Sequence, residues 1–321
     1  MTSPLRPLIV RLRNWVGDVT LSLPMLQRLA DEGHDLQLVG KAWAADLLAA
    51  HGWPVHTLPA GLLDRVALLR RLRQTARAVD PGFDERLNAL CLPDSFSSAL
   101  EMRLAGLRSL GHAWEGRALL LQQAVPRQRG VHELQVYWQL GNVLQRQTAA
   151  QPVALGLKVA ARHAAQAATL RQSQGIEADC IVICPFAGGT WNQQEKTWPE
   201  FPALANGWLQ SLGRTVVVCP GPGEEALAQE QYPRCKILPG VRLGTYAALL
   251  KDAALMISND TGPGHMAAAV GTALVSVLGP SDARLWQAVG LRVSVVQGSA
   301  GWPDTDAVKH AVLASLAVKN L

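Results

Sequence analysis

Apolar residues along this chain follow two alternating periods. Short runs such as LIVRLR (8–13), DLQLVG (35–40) and VHTLP read as strands. Between them, VTLSLPMLQRLADEG places Leu21, Met25, Leu26 and Leu29 at helical spacing, and AWAADLLAAHG predicts a second helix ending at Gly52. LLDRVALLRRLRQTARAVD predicts a strongly amphipathic helix, RLNALCL a strand and SFSSALEMRLAG a helix. The rhythm weakens between about 115 and 175, where HELQVYWQLGNVLQRQ (132–147) reads as helix and Ala/Gln-rich sequence with Pro152 follows. A second series then starts at IVICPFAGG (181–189). It continues through TVVVCPG, KILPG, a helix over 243–253, LMISND, a helix after Pro263, ALVSVLGP (273–280), VSVVQG and a last helix over 304–319.

Strands alternating with helices predict mostly parallel sheets covered on both faces. The 321 residues suit two domains. The expectation is an α/β protein with two Rossmann-like, doubly wound parallel-sheet domains facing a cleft. Residues 1–150 form the first and 151–321 the second, with the last helix a candidate to pack back on the first. Ligands in such sheets sit at the carboxyl ends of the strands, which singles out two strand-to-helix turns, Asn14–Asp18 and Ser258–His265.

The second turn, within ISNDTGPGHMAAAVG (257–271), suits an anion. A helix start offers unpaired N–H groups and the positive end of the dipole. Gly262 and Gly264 admit a ligand close to the backbone, Thr261 adds a hydroxyl, and His265 could donate to a phosphate oxygen. Asp260 would repel phosphate and is expected to cap the helix or orient the loop. An ordinary helix cap explains the same residues equally well. The turn is neither a GxGxxG fingerprint nor a Walker loop, so hydride transfer lacks its main support. A second glycine turn, Phe186–Thr190, follows IVICP. Lys196 in EKTWPEF is either a solvated lysine or a group that neutralises a leaving diphosphate. Glu224 or Glu225 in GPGEEALA could accept from ribose hydroxyls, or simply favour a helix start.

In the first turn, Asp18 follows Gly17 in NWVGD. It could cap its own helix or face the cleft as a general base. The arginines at 65, 70, 71, 73 and 77 form either a solvated face or a platform for an acidic acceptor or anionic membrane surface, and Arg117 is a further candidate anion contact. Net charge is +5, with seventeen Lys/Arg against thirteen Asp/Glu in residues 1–150 and thirteen against twelve beyond. The first half is therefore the better place for an anionic partner. No basic run interleaved with aromatics supports nucleic-acid binding. Five cysteines without a CxxC pair read as reduced core thiols, not a metal site. No apolar run reaches membrane-spanning length and the start is no secretory signal.

Five stretches together resemble one family. SNDTGPGHMAAAVGTALVSVLGPSDARLW (258–286) resembles the signature of the ADP-heptose:lipopolysaccharide heptosyltransferases, the family 9 glycosyltransferases. RNWVGDVTLSLPML (13–26), LPDSFSSALEMRLAGL (92–107), KTWP (196–199) and HELQVYWQL (132–140) are similar to its other segments, in the same order. The resemblance is greatest to the enzymes that add the second inner-core heptose. PFAGGTWNQQEKTWP departs from the usual Pro-Gly-Ala-type loop.

The resemblance implies a GT-B fold, an acceptor-binding first domain and a nucleotide-sugar-binding second domain. It implies inverting transfer from ADP-heptose to a hydroxyl of the lipopolysaccharide inner core, with no obligatory metal or other cofactor. Asp18 matches the base and Lys196 the lysine near the donor phosphates. Thr190, Glu224, Asp260, Thr261, Gly262 and His265 are the expected donor contacts, and Asn14, Ser95 and Arg117 the expected acceptor contacts. The expected place is cytoplasmic, peripheral to the inner face of the inner membrane, with the anionic lipid-linked core as partner and no nucleic acid. A GT-B transferase or epimerase for another nucleotide sugar, and a non-catalytic nucleotide-sugar-binding module, remain as alternatives.

Overall fold

The computed structural model describes residues 6–188, 190–191, 194–279, 281–299 and 301–317, the side chains of 190 and 191 excepted. The chain divides into two compact units, Met1–Pro152 and Val153–Leu321.

The first unit contains β1 (Arg6–Arg11), α1 (Val16–Asp31), β2 (His34–Gly40), α2 (Ala42–Leu47), β3 (Val55–Thr57), α3 (Leu62–Val79), β4 (Ala89–Cys91), α4 (Phe96–Leu104), β5 (Ser109–Ala113), β6 (Gln123–Pro126) and α5 (Glu133–Gln145). Its six strands are all parallel, in the order β3-β2-β1-β4-β5-β6. A parallel sheet with helices on both faces buries every side chain of its central strands, which is why Leu8, Ile9 and Val10 of β1 are all inaccessible. Helix α3 turns Val66, Leu69 and Ala76 onto this core, beside Phe83 and Met102.

The second unit contains α6 (Ala161–Gln174), β7 (Ile181–Cys184), β8 (Thr190–Trp191), β9 (Gln194–Glu195), α7 (Phe201–Asn206), β10 (Val216–Val218), α8 (Glu225–Gln231), β11 (Lys236–Ile237), α9 (Leu243–Asp252), β12 (Leu255–Asn259), α10 (Gly262–Val270), β13 (Leu274–Leu278), α11 (Ala283–Trp286), β14 (Val293–Gln297) and α12 (Thr305–Ala317). Its large parallel sheet runs β11-β10-β7-β12-β13-β14, which repeats the first sheet's order strand for strand. Strand β8 pairs antiparallel with β9. The last helix, α12, which the sequence made a candidate to pack on the first domain, buries Val308 and Val312 in this second core.

Three elements that the sequence pattern does not show lie in or just before the stretch where its rhythm fades. Strand β5 carries Gly111 and His112, and β6 is an edge strand ending in Pro126, the position a sheet tolerates proline. Helix α6 is alanine-rich and buries only His163 and Ala167, so propensity rather than an apolar stripe forms it. Among the described residues no helix is long and apolar enough to cross a membrane.

The loop before α7 is anchored by Trp198. Its ring is almost wholly buried, meets Phe201 edge-on at 5.4 Å between centroids, and donates Nε1–H to the Pro303 carbonyl at 3.2 Å. Truncation would leave a large cavity and an unpaired carbonyl. Trp198→Ala is therefore expected to lower stability by about 3–5 kcal/mol, read by urea denaturation. A loss under about 1 kcal/mol would mean the core closes over the gap.

Candidate functional site

In both sheets the strand order reverses at one place, between β1 and β4 and between β7 and β12. There the connections leave to opposite faces and open a crevice at the carboxyl edge, the usual ligand position in such folds. Each reversal point carries one of the two turns singled out in the sequence.

In the first unit Trp15, not Asp18, is the N-cap of α1, and Asp18 stands in the first turn of that helix. Its Oδ1 instead accepts from the Tyr137 hydroxyl at 2.5 Å and lies 3.8 Å from Arg13 Nε. Arg13 also pairs with Asp94 and lies 3.4 Å from Glu133. Arg127 reaches Asp94 at 3.3 Å and Glu133 at 2.6 Å. This cluster is mostly out of water, with 10% of the Asp18 side chain and 3% of Glu133 exposed. Burial raises the Asp18 pKa above its ordinary 3.8, and the Arg13 charge and the Tyr137 hydrogen bond only partly counter it. Burial opposes the charge on Arg13 too, but Tyr137, Asp18, Asp94 and Glu133 more than offset it.

The expected acceptor contacts divide. Asn14 is exposed on the same turn as Asp18, its Oδ1 3.5 Å from Arg11 Nη2. Ser95 is exposed and caps α4 by accepting from the Ser98 N–H at 3.3 Å. Arg117 is not on the surface at all. Its guanidinium is fully buried, donates to the carbonyls of His112 (2.8 Å), Pro93, Ser95 and Cys91, and lies 3.7 Å from Asp94. It therefore fastens the β4–α4 loop to β5, and in this arrangement presents no face to an acceptor. Gly111 is required beneath it, since a Cβ there would come within 3.0 Å of both Arg117 Nη2 and the Cys91 carbonyl. Four of the five arginines of α3 are also tied to their own unit. Arg65 binds the Pro59 and Ala60 carbonyls, Arg70 the Leu104 carbonyl, and Arg73 and Arg77 share Asp84.

In the second unit, Thr261 is the N-cap of α10 and accepts from the Gly264 N–H at 3.3 Å. Its hydroxyl also lies 2.8 Å from Ser258 Oγ. Pro263 has no N–H, so an anion at this helix start would meet the Gly262 amide and the Thr261 hydroxyl. Gly264 is needed for close packing, because a Cβ there would lie 3.1 Å from Ser258 Oγ. His265 is buried in the first turn of α10, its backbone N–H bonded to the Thr261 carbonyl. Asp260 does not cap the helix. It accepts from Ser281 Oγ at 2.8 Å and from Lys196 Nζ at 3.0 Å, which orients the lysine beside the turn. Glu224 folds back to accept from the Gly221 N–H at 2.8 Å, as a residue starting α8 would. Thr190 begins β8, and its side chain lies outside the described residues.

Sequence reading missed Arg13, Asp94, Glu133 and Tyr137 in the first unit and Asn259 in the second. Asn259 is fully buried, accepts from the Trp198 N–H at 3.1 Å and donates to the Pro185 carbonyl at 2.5 Å, joining three loop stems. A signal was available for α5: Glu133 and Tyr137 stand four residues apart, so they share one helix face.

Two Rossmann-like units in tandem, each with a polar turn at its switch point, define the class: an α/β protein of GT-B architecture. The fold is similar to Escherichia coli ADP-heptose lipopolysaccharide heptosyltransferase II, at TM-score 0.81 and 23% identity over 98% of this chain and 100% of that one. It is also similar to the family 9 glycosyltransferase of Veillonella parvula (TM-score 0.80, 16% identity, 99% of each chain) and to E. coli heptosyltransferase WaaC with ADP (0.70, 19%, 96% of this chain and 99% of that one). In sequence it is 32% identical over 123 residues to E. coli lipopolysaccharide heptosyltransferase 3, a stretch covering 35% of each, so the chain matches about a third of that relative's length. The family described as glycosyltransferase family 9 (heptosyltransferase) matches residues 70–314, and the chain belongs to it.

Loss of the Thr261 hydroxyl removes a helix cap and a hydroxyl that an anion at this helix start would meet. Thr261→Ala is expected to lower stability by about 1 kcal/mol and to weaken ADP binding about tenfold, read by thermal unfolding and by titration calorimetry; Thr261→Ser should restore both. Unchanged ADP affinity would leave Thr261 as a cap alone.

Proposed function

We propose that the chain transfers a heptose, with inversion, from ADP-heptose to a hydroxyl of the anionic, lipid-borne inner core of lipopolysaccharide. The observation that carries this reading is Asp18. A carboxylate at the carboxyl end of the first strand, held largely out of water with its proton affinity raised, is suited to act as a general base. Asp18 takes the proton of the acceptor hydroxyl as that oxygen attacks the anomeric carbon. The bond from that carbon to the diphosphate breaks on the opposite face, and its electron pair leaves with ADP. No covalent sugar–enzyme intermediate forms.

The second unit supplies the donor side. Lys196, aligned by Asp260, and the Gly262 amide at the start of α10 stabilise the charge developing on the departing diphosphate. Family membership and the fold shared with a heptosyltransferase solved with ADP support this division of labour. The first unit, where the positive excess lies, receives the anionic acceptor. Because that acceptor is lipid-borne, the enzyme works peripherally at the cytoplasmic face of the inner membrane.

Asp18→Asn separates the chemical role from the structural one. Burial outweighs Arg13 and Tyr137, so the ionised carboxylate opposes folding. That penalty is absent below the unfolded pKa of 3.8, where both states hold the proton, and complete once pH exceeds the raised folded pKa. The asparagine variant should therefore match or exceed the wild-type unfolding midpoint at about pH 7, with any advantage shrinking at about pH 4. Its kcat should fall by about 10²–10⁴ in incubations with ADP-heptose and a set of truncated core acceptors, read by mass. Turnover near wild type in a folded variant would remove Asp18 as the base. A parallel panel of other nucleotide sugars distinguishes a different donor.

A further inference from the structure

A carboxylate serves as a base only if one oxygen stays where the proton arrives. In the first unit the means of holding it comes from α5, which packs along α1. Tyr137 is completely buried on this helix and donates its hydroxyl to Asp18 Oδ1 across 119 residues of sequence. One turn earlier, Glu133 lies 3.4 Å from Arg13, whose Nε is 3.8 Å from the same Oδ1 and whose guanidinium lies over the Tyr137 ring at 5.7 Å from its centroid. These two contacts with the Asp18 carboxylate therefore converge on Oδ1, and neither uses Oδ2.

We propose that Tyr137 is the positioning residue of the base: its buried hydroxyl fixes Asp18 through Oδ1 in one rotamer, so that Oδ2 receives the acceptor's proton. The inference rests on Asp18 being the base. The groups facing Asp18 are Arg13 on the β1–α1 turn, Asp94 on the β4–α4 loop, Arg127 after β6 and Tyr137 on α5, and Glu133 of α5 pairs with both arginines. Among them Tyr137 alone is a neutral donor. Burial, with the Asp18 charge next, drives its phenol pKa well above 10, so it stays protonated through any working range. Its hydrogen bond favours the carboxylate form, and its removal leaves burial less opposed.

The test uses the full chain with ADP-heptose and a truncated core acceptor. Tyr137→Phe should lower kcat about tenfold with little change in donor KM. It should also move the acid limb of the kcat/KM profile upward by about one pH unit, a change that a purely structural tyrosine would not produce. Replacing Tyr137 by 3-fluorotyrosine, a stronger donor of nearly the same shape, should move the limb downward and keeps the test usable if the phenylalanine variant folds poorly. In the Asp18→Asn background, Tyr137→Phe should add no further loss of kcat, since both act through one carboxylate. An unmoved acid limb in both variants, or a Tyr137→Phe loss that adds in full to that of Asp18→Asn, would overturn the positioning role. Failure of the base itself shows separately, as near-wild-type turnover in Asp18→Asn alone, and would overturn both readings.

Discussion

The reversal of strand order is the constraint from which the rest follows. A chain that winds β1, β2, β3 to one side and then β4, β5, β6 to the other must leave two adjacent strands whose following connections part to opposite faces. The gap between those connections is the one place along the edge where a ligand can approach main-chain groups without displacing a helix. This protein makes the same reversal twice, and both times equips the resulting edge with a short polar turn. Asp18 lies just beyond β1, whereas Thr261 and Lys196 lie beyond β12 and β7. Position in the winding, not sequence likeness between the units, relates the two turns.

The two edges solve different electrostatic problems. The first gathers Asp18, Asp94 and Glu133 with Arg13 and Arg127, all largely withdrawn from water. Desolvation of so many charges is tolerable only because each acid has an arginine within ion-pair distance. The balance is not even: Arg13 keeps its charge, while Asp18 is held at a raised pKa. A site that must accept a proton benefits from that imbalance. Among the described residues, the second edge relies on neutral dipoles, with one ion pair. Thr261, Ser258 and Asn259 bond to one another or to backbone, Ser281 donates to Asp260, and Asp260 holds Lys196. Donors already fixed in place need little reorganisation when negative charge arrives.

Much of this architecture was legible in the sequence because buried parallel strands leave a plain trace. IVIC, LMISN and LVSVL are inaccessible on both faces and read as continuous apolar runs. Where burial is achieved by other means the trace disappears. Strand β5 accommodates Gly111 and His112 because Arg117 lies across it, and α6 owes its form to alanine. The sites follow the same logic. Asp18, Lys196 and the 258–265 turn were visible because each sits in a local strand-to-helix pattern. Arg13 and Tyr137 were not, since their meaning depends on a contact with Asp18 that only the folded unit makes. Arg117 was misread for a related reason. An arginine in AWEGRALLL offers its charge to a partner, and nothing local reveals that carbonyls of β4, β5 and the loop between β4 and α4 will enclose it.

Arg117 and Asn259 show what that enclosure accomplishes. Each is fully buried, and each bonds loop backbone that no regular element satisfies. Arg117 binds the β4–α4 loop, which carries Asp94 toward Arg13 and Ser95 to the start of α4. Asn259 links the residue after β7 to the loop leading into α7, two residues beyond Lys196. Loops at a sheet edge are the least constrained part of an α/β fold, since their amides and carbonyls lack a ladder. A buried polar side chain with several donors or acceptors can replace the ladder there, and leaving even one of those backbone groups unpaired would cost on the order of 1–3 kcal/mol. The charged and hydroxyl groups at both switch points are thus held by interior polar residues that need never touch a ligand, and these positions constrain the site as firmly as the side chains that face it.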